Sequence, residues 1–71
     1  MGNATLLTLL KAGCRLEMPS GYAFKGDPET GYIDLITPFG PDGLVLLNRD
    51  GVDEAFRYEK MFRQETERAA W

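Results

Sequence analysis

Histidine is absent from this 71-residue chain and cysteine occurs once, at Cys14. Histidine is the side chain that titrates nearest neutrality and the commonest metal ligand, so its absence removes the usual general base and most zinc or iron sites. A lone cysteine forms no internal disulfide, and without a cysteine–histidine cluster there is no structural metal to staple so small a fold. Positive charge is also scarce. Eight Lys and Arg against eleven Asp and Glu leave a formal charge of -3 and a pI near 4.7. Nucleic-acid binding relies on clustered cations that displace counterions from phosphate, so this balance argues against nucleic acid and favours a basic protein partner.

Long apolar runs are missing too. The leucine-rich stretch that follows Thr5 is broken by Lys11, too short a run for a membrane span. The stretch Met1-Gly2-Asn3-Ala4-Thr5 carries no basic side chain, unlike a secretory leader. Leu6 stands where a myristoylation signal has Ser or Thr. The expectation is a cytoplasmic protein with no membrane partner.

What is present suffices for a core: 44% of residues are hydrophobic and 11% aromatic. That composition reads as one folded α+β domain over residues 1–71. A chain this short reaches stability through efficient packing or through self-association.

Residues 3–12 read as a short helix, with Asn3 as its N-cap and Gly13 as the left-handed residue that ends it. Leu6, Leu7, Leu9 and Leu10 form its apolar arc. Cys14 follows as a small buried hydrophobe, placed after a helix end and not at the helix N-terminus that would activate its thiol. Turn residues then separate runs of strand length. Arg15–Met18, Tyr22–Lys25, Tyr32–Thr37 and Leu44–Leu47 are joined through Pro19-Ser20-Gly21, Gly26–Gly31 and Pro38–Gly43. Short links between consecutive strands predict a four-stranded antiparallel meander. Tyr22, Phe24, Tyr32 and Phe39 are assigned to core or cross-strand packing.

In Leu44–Leu47 the apolar side chains alternate to both faces of the sheet, so both faces require cover. Two arrangements satisfy this: the sheet lies between the helices, or both helices occupy one side and another subunit the other.

A long C-terminal helix spans about residues 50–69, capped by Asn48 or Asp50, and Asn48 would place Leu47 and Val52 as a hydrophobic staple. At helical period Val52, Ala55, Phe56, Tyr58, Phe62, Thr66, Ala69 and Ala70 share a side, opposed by Asp53, Arg57, Lys60, Gln64 and Arg68. Glu59 and Arg63 interrupt that side as an ion pair at the solvent edge. Met61 projects among the polar residues, and Trp71 adds an aromatic at the end. Tyr58, Met61, Phe62 and Trp71 are therefore the candidate partner-binding residues.

Chemistry finds little support. Ser20 has no partner base at a recognised spacing, with Lys11 and Lys25 the nearest amines in sequence, and a turn explains it. Asp27, Glu29 and Asp34 match no calcium-loop spacing, whereas Asp27 before Pro28 fits an Asx turn. The glycines fall at strand boundaries and form no phosphate loop. No catalytic, cofactor-binding or metal-ligating residue is assigned. The expected function is a non-catalytic protein-binding or regulatory module that forms a homo-oligomer, with a structural subunit of a larger assembly as the alternative and a minimal carboxylate- or thiol-based enzyme as a distant third.

Overall fold

The computed structural model of the chain describes residues 2–69. It has the expected α+β order: helix α1 (Asn3–Lys11), strands β1 (Arg15–Glu17), β2 (Ala23–Asp27), β3 (Tyr32–Thr37) and β4 (Gly40–Leu46), and helix α2 (Arg49–Ala69). The four strands form one antiparallel sheet in sequential order, β1-β2-β3-β4.

Local chemistry sets the ends of the helices. Helix α1 starts one residue earlier than the side-chain cap reading implies: Gly2 holds the cap position, and its carbonyl accepts from Thr5 and Leu6. At the other end the prediction holds. Gly13 adopts φ +85°, its N–H donates to the Leu10 carbonyl, and the Cys14 N–H donates to that of Leu9, the paired bonds that let a left-handed glycine satisfy a helix terminus. In α2 the choice of cap falls to Asn48, whose Oδ1 accepts from the Gly51 N–H at 2.8 Å. Leu47 and Val52 accordingly both pack in the core cluster. Asn48→Ala is expected to cost about 1 kcal/mol, read as a lower urea midpoint at unchanged slope.

The hairpins explain the strand limits. Met18-Pro19-Ser20-Gly21 closes a turn through Gly21 N–H to Met18 C=O at 2.9 Å, with Gly21 at φ +91°. Asp27 makes the expected Asx turn, Oδ1 accepting from the backbone of Glu29 and Thr30. Strand β4 departs from expectation. It begins at Gly40, paired with Thr37 across a two-residue link, so Pro41-Asp42-Gly43 lies in the strand and not in a loop. Pro41 is tolerated because β4 is an outer strand. Leu35 pairs with Gly43 and Ile36 with Pro41, which leaves Asp42 as the extra residue of a β-bulge.

Of the two arrangements, the molecule adopts the one-sided one. Leu10 of α1 and Val52 and Ala55 of α2 join Tyr22, Phe24, Ile33, Leu35 and Val45 in one buried cluster. Edge-to-face contacts link Phe24 to Tyr22 at 5.8 Å and to Phe56 at 5.3 Å, geometry that adds to the area they bury. Helix α1 approaches β2 so closely that a Cβ on Gly26 would collide with the Leu10 backbone. No helix among the described residues is long and apolar enough to cross a membrane.

Candidate functional site

The residues proposed from the sequence for partner contact divide between core and surface. Tyr58 and Met61 are exposed, at 42% and 54%. With Glu54 and Arg57 they line a shallow groove of about 400 Å³ on the side of α2 away from the sheet. Phe62 is half-buried and packs against the core, 5.4 Å from the ring of Tyr22 and 6.3 Å from that of Phe39. Trp71 lies outside the described residues. The reason for this division is that the buried line of α2 runs through Val52, Ala55 and Glu59. Tyr58 is thereby rotated outward, and Thr66 and Ala69, expected on the apolar side, are exposed.

Glu59 is also more deeply placed than a solvent-edge ion pair. It is buried, and its Oε2 accepts from Ser20 Oγ at 2.9 Å and forms an ion pair with Arg63 Nε at 3.3 Å. The Ser20 hydroxyl thus ties the first hairpin turn to a helix 39 residues away in sequence. A second polar tie lies beside it. The Tyr22 hydroxyl donates to Asp42 Oδ2 at 2.6 Å, so the bulge in β4 supplies the acceptor that a buried phenol requires. Burial, followed by the hydrogen bond to Asp42, holds the Tyr22 pKa well above the usual tyrosine range. Sequence reading missed Asp42 because Pro41 and Gly43 disguise its strand as a turn.

The largest departure from a covered fold is the second face of the sheet. Cross-strand register places Tyr32 with Leu46, Ile36 with Pro41, and Asp34 with Leu44 on the face opposite Ile33, Leu35 and Val45. Tyr32, Leu44 and Leu46 are 41%, 59% and 55% exposed. A depression of about 300 Å³ runs between Asp34, Ile36, Pro41 and Leu44. Toward β1 the face becomes charged, with Arg15 paired to Lys25 and Lys25 to Asp34. Tyr32 therefore belongs to an open surface and not to the core, and Phe39, at the tip of the last hairpin, is 86% exposed.

The remaining candidates stay structural in geometry. Cys14 is half-buried, not fully buried, and its carbonyl accepts from the Gly26 N–H at 3.2 Å. Asp27 is engaged in its turn. Among the described residues no three acidic, cysteine or histidine side chains cluster as a metal site. Comparison with protein-family models, with curated proteins and with solved structures gave no match.

Proposed function

We propose that this chain is a non-catalytic protein-binding module of regulatory character, cytoplasmic and self-associating, that presents the helix-free face of its sheet to a partner protein. The observation that supports the reading is the row of exposed Tyr32, Leu44 and Leu46 beside Ile36 and Pro41 on that face. Isolated exposed hydrophobes are ordinary, but a contiguous apolar surface on a small acidic domain marks an interaction site. Asp27, Lys25 and Asp34 border it on neighbouring strands, which favours a partner with an apolar centre and a rim carrying both charges.

A photo-crosslinking side chain at position 44, in cells that make the protein, is expected to give discrete adducts that Leu46→Thr suppresses. Threonine keeps strand propensity, and both positions are more than half exposed, so stability is expected to change by no more than about 0.5 kcal/mol. Adducts no different from those of a probe at exposed Thr8 would overturn the reading.

A further inference from the structure

Helix α2 carries a second outward surface whose charge order reads the same forwards and backwards with opposite sign. Residues 54, 57, 58, 61, 64, 65 and 68 recur at spacings of three and four, so they fall on one stripe. All are exposed, and the stripe lies opposite the buried line of Val52, Ala55 and Glu59. Its midpoint is Met61, 54% exposed. Seven residues before Met61 is Glu54 and seven after is Arg68; four before is Arg57 and four after is Glu65. None of these four charged residues has an ion-pair partner among the described residues.

We infer that α2 pairs with α2 of a second copy of this chain, antiparallel, about a two-fold axis through Met61. In such a pair each residue faces the one equally far beyond Met61 in the other copy, because an isologous contact repeats every pairing twice. Glu54 meets Arg68 of the second copy and Arg57 meets Glu65 of the second copy. Four oppositely charged contacts then flank a Met61–Met61 centre, with Tyr58 beside Gln64 of the second copy. A parallel pairing in register sets every charge against its own like, so the charges select the antiparallel one. The stripe is about 21 Å long at 1.5 Å per residue. It buries less than the roughly 800 Å² per partner of a standard interface, so association lies in the micromolar range or weaker. This inference rests on the self-association reading and leaves the open sheet face of each copy free, making the dimer bivalent.

Sedimentation of the full chain over a dilution series, at low and high salt, tests it through charge reversal. Because the two-fold converts two attractions into two repulsions at once, Arg57→Glu and Glu65→Arg are each expected to weaken dimerisation on the order of tenfold. The double variant Arg57→Glu/Glu65→Arg is expected to return to within about threefold of the parent, and raised salt to weaken the parent. These positions are exposed, and an unchanged circular dichroism spectrum verifies that each variant is folded. A dimer indifferent to the single reversals, or a double variant weaker than either, would overturn the α2 pairing while leaving self-association in place. A strict monomer at millimolar concentration would overturn both.

Discussion

Gly26→Ala is expected to abolish the native fold or leave it close to its unfolding midpoint at 25 °C. Gly26 sits on the helix side of β2 two residues from Phe24, and an added methyl group would overlap the Leu10 carbonyl and Cα. The obstacle is backbone, so no side-chain rotamer relieves it: α1 must lift away from the sheet. Leu10, fully buried, and Leu7, packed beside it, move with the helix, as does the Gly26 N–H bond to Cys14. Overpacking alone costs about 1–3 kcal/mol, and withdrawal of a buried leucine adds a comparable loss. A domain of this length has roughly 4–10 kcal/mol in total. Gly31→Ala provides the contrast. Gly31 has φ +80° but nothing within 4 Å of the added atom, so only the left-handed conformation is penalised, at about 1–2 kcal/mol. Urea unfolding of both variants should separate them clearly, and equal effects would show that α1 yields without loss of packing.

The contrast between these glycines also shows what was legible in the sequence. Features decided within a few residues were readable: the helix end at Gly13, the Asx turn at Asp27, the limits of β3, and Asn48 as one of two caps. Gly26 reads as one more turn glycine, because the carbonyl that excludes a side chain there comes from Leu10, sixteen residues earlier. Strand β4 reads as shorter than it is for a similar reason. Pro41, Asp42 and Gly43 have the composition of a loop, and their place in the sheet depends on a bulge opposite Leu35 and Ile36 and on the Tyr22 hydroxyl bound to Asp42. Helical periodicity put Tyr58 and Phe62 on the same side of α2. Tertiary packing separated them, drawing Phe62 toward Tyr22 and Phe39 and rotating Glu59 inward to Ser20. Alternation in Leu44–Leu47 correctly announced two apolar faces, but only the packed helices show which one stays bare.

Tyr22 is expected to dominate the remaining stability and its response to alkali. Its side chain is fully buried, with ring contacts to Phe24 and Phe62 and the hydroxyl bound to Asp42. Tyr22→Ala removes all three and is expected to cost about 3–5 kcal/mol, whereas Tyr22→Phe keeps the rings and loses about 1 kcal/mol with the hydrogen bond. The pH dependence isolates the hydroxyl. Burial, the bond to Asp42 and the nearby Asp42, Tyr58 and Glu59 side chains all oppose ionisation of Tyr22 in the fold. The unfolded chain loses this proton near pH 10. A folded pKa raised above the unfolded one contributes stability that is fully present below pH 10 and lost as pH rises beyond it. The native state then binds one proton more than the unfolded state, so this residue adds a slope approaching about 1.4 kcal/mol per pH unit. Urea midpoints between pH 8 and 11 should fall more steeply for the parent than for Tyr22→Phe. Parallel curves would mean that the native state opens far enough for water to reach the hydroxyl before the phenol ionises.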